Sequence, residues 1–160
     1  MDVKILKAEM NDFEEIIDVL VNSSLGQRYY PTPGMLRSEV LAARGRDLFL
    51  VARDEGRLVG FAWYMLTGAF ALYPYLHTIV VEESCRSGGI GRTLMKAYEN
   101  SCLELKHELR CKSFLVVSED NRRAISFYKR LGYEALFPIK KLFRKNVTEI
   151  LMKKDICKAV

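Results

Sequence analysis

The chain has 160 residues, the length of one domain, and can bury about 70% of its unfolded surface without help from metal or disulfide. Hydrophobic residues make up 49% and charged residues 28%, which excludes global disorder, and no apolar run approaches the ~18 residues of a membrane-spanning helix. The net charge of +5 is a modest excess that favours anionic partners without naming one.

Along the chain, Val3 to Ala8 alternates weakly and suggests a short strand. Asn11 or Asp12 then caps a helix whose Phe13, Ile16, Ile17, Leu20 and Val21 share one face. Ser23 to Gly34, with its Gly, Pro and the pair Tyr29-Tyr30, reads as a loop. A second helix runs from about Met35 to Ala43, ended by Gly45. Leu48–Ala52 and Leu58–Tyr64 flank Asp54-Glu55-Gly56-Arg57 as a hairpin, and Leu76–Val81 is a further strand. The loop Arg86 to Gly91 opens into a helix with Leu94, Ala97, Tyr98, Ser101 and Leu105 facing inward. Phe114–Val117 is an apolar strand. Asn121 starts a helix carrying Ala124, Phe127, Tyr128 and Leu131 on one face, stopped by Gly132. Tyr133–Phe143 and Val147–Met152 form a last hairpin. The expected architecture is a single α/β domain, 1–160, with a mixed, mostly antiparallel sheet and one crossover into a parallel strand.

The segment Arg86-Ser87-Gly88-Gly89-Ile90-Gly91-Arg92-Thr93 follows a strand and enters a helix. Glycines let backbone N–H groups converge, and the helix start adds unpaired N–H groups and a positive dipole end. Together they suit a pyrophosphate. The segment lacks the Lys of a Walker loop and the third glycine of a dinucleotide fingerprint. From these residues alone, an anion site and a tight strand-to-helix connection are equally good readings.

Further on stands Asn121-Arg122-Arg123-Ala124-Ile125-Ser126-Phe127-Tyr128-Lys129-Arg130-Leu131-Gly132-Tyr133. With this second motif the sequence resembles the GNAT superfamily of N-acetyltransferases. Arg86, Gly89 and Gly91 match its acyl-CoA loop. Asn121, Ala124, Phe127, Tyr128, Arg130, Gly132 and Tyr133 match its later motif. The resemblance covers roughly residues 47–153. It implies acetyl-CoA as co-substrate, lying in a V-shaped splay between two parallel strands, Leu76–Val81 and Phe114–Val117. Backbone groups of Ile79, Val80 and Val81 would meet the pantetheine arm. Arg86, Ser87, Gly88, Gly89, Ile90, Gly91, Arg92 and Thr93 would hold the pyrophosphate. Asn121, Ala124, Phe127 and Arg130 would complete the cofactor site, with Asn121 also able to cap its helix and Arg130 also readable as a solvated cation. An amine would attack the thioester directly, and Tyr128, otherwise a core tyrosine, would be the general acid to the CoA thiolate.

The amine also needs a base, since its pKa lies near 10.4 as in Lys. Where relatives carry Glu on the strand before the loop, this chain has Thr78, and the second family location falls near Val116. His77, Glu82 and Glu119 are the ionisable neighbours, with His77 on the face opposite Thr78. A water relay through Tyr73, Tyr75 or a backbone carbonyl is the remaining expectation. Acceptor candidates are Tyr29, Tyr30 and Thr78, with Glu39, Trp63, Tyr73 and Tyr75. Cys85, Cys102, Cys111 and Cys157 have no metal-ligand spacing, and the only histidines are His77 and His107, so no metal is expected. Unpaired thiols and no secretory layout at the N-terminus suggest a reduced, cytoplasmic setting. No concentrated basic stripe supports nucleic-acid binding. Relatives pair exposed edges as dimers, which leaves a homodimer open. The rival functional reading is a non-catalytic acyl-CoA-binding or sensing module on the same fold.

Overall fold

In the computed structural model, which describes residues 2–105 and 112–157, the elements follow the predicted order with one insertion. β1 (Val3–Lys7) leads through a 3-10 turn into α1 (Phe13–Val21), α2 (Ser24–Tyr29) and α3 (Pro33–Ala43). Next come β2 (Leu48–Asp54), β3 (Arg57–Ala69), β4 (Tyr73–Val81) and α4 (Ile90–Leu105). β5 (Lys112–Ser118), α5 (Arg122–Arg130), β6 (Glu134–Lys140) and β7 (Thr148–Asp155) complete the chain. The sheet order is β1-β2-β3-β4-β5-β7-β6. β1–β2, β2–β3, β5–β7 and β6–β7 pair antiparallel, while β4 and β5 are parallel, in register at Tyr75 and Phe114. This is the mixed, mostly antiparallel α/β sheet that the strand pattern predicts.

The insertion is α2, inside the segment expected to be a loop. Ser23 caps it, its hydroxyl accepting from the Gly26 N–H at 2.9 Å. Gly26 serves close packing rather than a turn, because a Cβ there would lie 1.9 Å from the Leu20 carbonyl oxygen. α3 starts at Pro33, ahead of the expected Met35, because Thr32 Oγ1 accepts from the Met35 N–H at 3.2 Å and Pro33 suits the first helical turn. β4 likewise starts at Tyr73 rather than Leu76.

The described residues gather into two compact units, one comprising residues up to Tyr64 with Thr78–Tyr98, the other Met65–His77 and residues from Glu99 onward. In the first, Phe13, Ile16, Ile17 and Leu20 of α1 meet Leu36 and Val40 of α3 over the strands. That α1 spacing of three, four and seven builds one buried stripe. Arg53 of β2 fastens the start of α1, reaching Asp12 at 2.5 Å and Glu15 at 2.7 Å. Gly60 lets β3 approach β4 closely, since a Cβ would stand 2.7 Å from the Val80 carbonyl oxygen.

In the second unit Ala69, Phe114 and Leu151 form a buried cluster, packed by Tyr73, Tyr75, Val116 and Ile139. On the opposite face of β5, Ser113 and Tyr133 share a hydrogen bond of 2.8 Å. Along α4, Leu105 is exposed rather than inward-facing, and Met95 and Cys102 are buried instead. Cys85 and Cys102 are buried thiols that form no disulfide. Cys157 is disulfide-bonded, which corrects the expectation of unpaired thiols at that position; sequence spacing does not report such a spatial pairing. His107 and Cys111 lie outside the described residues. Among the described residues no helix is long and apolar enough to cross a membrane.

Candidate functional site

The first part of the candidate site lies where β4 ends. Along β4 burial alternates, so Thr78 and Val80 are buried while Ile79 and Val81 are half-buried. A 3-10 turn, Glu83–Cys85, follows. Arg86 is extended, and its Nε donates to the Val81 carbonyl at 3.0 Å, which ties the turn to the end of its own strand. Ser87 and Gly89 both adopt left-handed backbone, with φ of 72° and 82°. Ser87, Gly88 and Gly89 are exposed, whereas Ile90 is buried and anchors the start of α4. The Thr93 N–H donates to the Gly89 carbonyl at 3.0 Å, and its hydroxyl does so at 3.2 Å. The helix therefore begins in earnest at Ile90, and the N–H groups of Ile90, Gly91 and Arg92 fall in the first turn, where no helical carbonyl can reach them. Arg92 is exposed beside them. This arrangement can bind an anion through backbone dipoles.

A cleft of about 390 Å³ runs past the same strand end, lined by Val80, Val81 and Arg86 and, from α1 and the α1–α2 junction, by Asp18, Asn22 and Ser23. Glu82 and Glu83 also line it, so its wall carries both signs of charge. Glu82 is ion-paired with Arg57.

The second part is built on α5. Asn121 is the N-cap, its Oδ1 accepting from the Ala124 N–H at 3.1 Å, as the capping reading expects. Ala124 and Phe127 are half-buried, and Tyr128 is buried at 8% exposure. The Tyr128 ring meets Phe127 at 5.3 Å and Tyr133 at 5.8 Å, both edge-on. Burial, with Tyr75 nearby, pushes the Tyr128 phenol well above the ordinary tyrosine value. At neutral pH it holds its proton and can only donate it. Arg130 is exposed, donating to Ser126 Oγ at 2.8 Å. It lines an open groove of about 520 Å³ with Arg122 and Lys129, so the solvated and phosphate-binding readings of this cation both fit its place.

The acceptor candidates divide. Tyr29 and Tyr30 are half-buried at the end of α2, and Tyr30 donates its hydroxyl to Glu39, with burial first and that carboxylate second raising its phenol. Trp63 is a core residue, stacked on Phe49 at 5.1 Å with its Nε1 donating to Asp47 at 2.8 Å. Tyr73 and Tyr75 are half-buried on the face of β4 that also carries His77, whose ring lies 6.2 Å from that of Tyr75. Burial, then the Glu149 carboxylate, pushes the Tyr75 phenol up to about 12. Neither Thr78 nor Val116 has an ionisable side chain, and Glu119 is exposed. Glu149 of β7 was not among the sequence candidates, yet it is a carboxylate at only 1% exposure. Nothing local singles it out, because β7 also carries Thr148, Lys153, Lys154 and Asp155.

Comparison with known proteins bears on the whole. The model of the acetyltransferase (GNAT) family matches residues 13–133. An uncharacterised N-acetyltransferase of Methanocaldococcus jannaschii is 30% identical over 107 residues, covering 66% of this chain and 65% of that protein. This chain thus spans a little under two thirds of that relative. Among solved structures, Ard1 of Thermoplasma volcanium superposes with a TM-score of 0.81 at 22% identity, covering 99% of this chain and 100% of its own. An aminoglycoside 6′-N-acetyltransferase in complex with coenzyme A gives 0.79 at 18% identity, covering 98% and 99%. At those identities the structural likenesses establish the fold. The family match, by contrast, takes in both the loop after β4 and the Tyr128 helix, and on it the chain belongs to the acetyltransferase (GNAT) family.

Proposed function

We propose that the protein is an acetyl-CoA-dependent N-acetyltransferase that acts on a primary amine, whether a small amine, a peptide N-terminus or a lysine. The observation that carries this reading is the loop after β4. Two residues in left-handed backbone precede a helix start whose first N–H groups have no helical partner. It is supported by family membership and by a structural neighbour that holds coenzyme A.

Backbone groups of Ile79, Val80 and Val81 receive the pantetheine arm, and Arg86 through Thr93 receive the pyrophosphate. Asn121, Ala124, Phe127 and Arg130 contribute further cofactor contacts. The amine attacks the thioester carbon, and a backbone N–H near Ile79–Val81 polarises the oxyanion. The C–S bond then breaks, and Tyr128 gives its proton to the thiolate. Tyr29, Tyr30 and Thr78 are the acceptor-side residues.

Calorimetry with acetyl-CoA, followed in the same sample by free-thiol release against a panel of amines and peptides, tests the reading. Binding with thiol release for some acceptor is expected. Binding without release from any acceptor would replace the enzyme by a CoA-sensing module, and no binding would overturn the assignment of the loop.

A further inference from the structure

The connection between β6 and β7 carries charge of one sign. Between Glu134 and Glu149 stand Lys140, Lys141, Arg144 and Lys145, and no carboxylate. Among the described residues none of the four forms an ion pair. Lys140, Lys141 and Lys145 are exposed, while Arg144 is half-buried and its Nη2 has no hydrogen-bond acceptor. Cations this close along the chain repel one another. The same loop also exposes apolar side chains. Leu142 and Phe143, set between the lysines and the arginine, are 42% and 55% exposed. The loop is nevertheless closed by its own backbone. The Lys141 N–H donates to the Val147 carbonyl at 3.0 Å, and the Val147 N–H donates to the Arg144 carbonyl at 3.2 Å. Lys141 adopts left-handed backbone, with a φ of 57°, which a lysine disfavours. Uncompensated charge, an exposed apolar pair and a strained residue coincide in one turn, and water alone accounts for only the first of them.

We propose that this hairpin docks on an anionic lipid surface, with Leu142 and Phe143 entering the interfacial layer and the four cations facing acidic headgroups. The inference goes beyond the N-acetyltransferase reading and does not depend on it. Charge complementarity calls for an anion, and the apolar pair decides which kind. A nucleic acid stacks a base on Phe143 but offers Leu142 no apolar contact. A purely acidic peptide pairs with the lysines and leaves both apolar side chains in water. A bilayer interface receives aliphatic and aromatic side chains together, just beneath the layer of charge that the cations seek. Adjacent residues supply both, so a single contact satisfies the whole turn.

The test is co-sedimentation of the full chain with vesicles of phosphatidylcholine alone and of phosphatidylcholine with about one-third phosphatidylglycerol. Each cation near an acidic surface contributes about 5-fold in affinity, so the wild type should prefer the acidic vesicles by about 10²–10³-fold, and added salt should reduce the preference. Lys141→Gln combined with Lys145→Gln should lose about 25-fold on those vesicles. Leu142→Ser combined with Phe143→Ser should lose about 10-fold or more. Phe143→Trp reports insertion directly, as a blue shift of indole emission on adding acidic vesicles. The native Trp63 is buried in the core and supplies a constant background. If the apolar double variant does not fold, the lysine variant and the indole emission decide. Equal binding to both kinds of vesicle, binding to neither, or variants that hold acidic vesicles as the wild type does overturn the inference. So does an indole that shifts with polyglutamate or single-stranded RNA and not with vesicles. Acetyl-CoA affinity, measured on the same samples, should be unchanged in every variant, and the acetyltransferase reading survives any of these failures.

Discussion

Replacing Tyr128 by Phe removes one oxygen and leaves the ring. The edge-on contacts with Phe127 at 5.3 Å and Tyr133 at 5.8 Å are made by the rings and survive. The stability change is therefore within about 1 kcal/mol, a melting shift of roughly 2–4 °C. The catalytic effect is larger. General acids contribute about 10²–10⁴-fold to rate. A thiol of CoA type resembles cysteine, with a pKa near 8.5, whereas burial holds Tyr128 above its ordinary value. Proton transfer from Tyr128 to the thiolate is therefore uphill, which places the contribution at the low end. The expected fall in kcat is about 10²-fold, or roughly 2.7 kcal/mol. Steady-state thiol release gives kcat, and calorimetry gives the acetyl-CoA dissociation constant, which should change by no more than about 2-fold on these grounds. A kcat that stays at the wild-type level would refute the general-acid argument. Parallel losses in kcat and affinity would show that Tyr128 shapes the cofactor site instead of supplying a proton.

Other consequences can be checked independently. At Gly89 a Cβ meets nothing within 4 Å, but the φ of 82° is strained for any side chain. Gly89→Ala should cost about 1–2 kcal/mol and weaken acetyl-CoA about 10-fold or more; full affinity in a destabilised variant would separate the loop from the ligand. Arg53→Met strips the partner from Asp12 and Glu15 at the start of α1. With Arg53 partly exposed, the cost should be about 2–3 kcal/mol, visible as a melting point lower by about 4–12 °C, and an unchanged melting point would refute the ascribed role. Alkali provides a last test. Tyr30, Tyr75, Tyr128 and Tyr133 all have phenols raised chiefly by burial. Their stabilisation is complete below the unfolded value near 10 and declines as pH rises beyond it, because the unfolded chain then loses protons that the folded chain keeps. Phenolate absorbance of the native protein should lag behind that of the denatured chain above pH 10, and coincident titrations would contradict the burial.

Much of this molecule is written in local pattern. The spacing of Phe13, Ile16, Ile17 and Leu20 predicts α1 and its buried face, because a 3.6-residue period admits one solution. Gly89 and the helix beyond it are legible because few residues accept a φ near 82° before a helix start. Asn121 and Tyr128 stand out through fixed spacing within one helix. In each case the interacting residues are neighbours along the chain, so sequence alone determines the family, the order of strands and helices, and the residues of a candidate cofactor site.

What escaped that reading depends on partners far apart in sequence. α2 looks like a loop until Gly26 is seen against the Leu20 carbonyl, where its missing side chain is what permits a helix. Trp63 reads as an acceptor contact until Asp47 and Phe49 enclose it. Glu149 carries no local sign of its surroundings. Its burial follows from the registers that set β7 between β5 and β6. Sequence determined which residues could do chemistry; only the closing of strands distant in the chain decided which carboxylate lost its water and which phenol came to lie in its field.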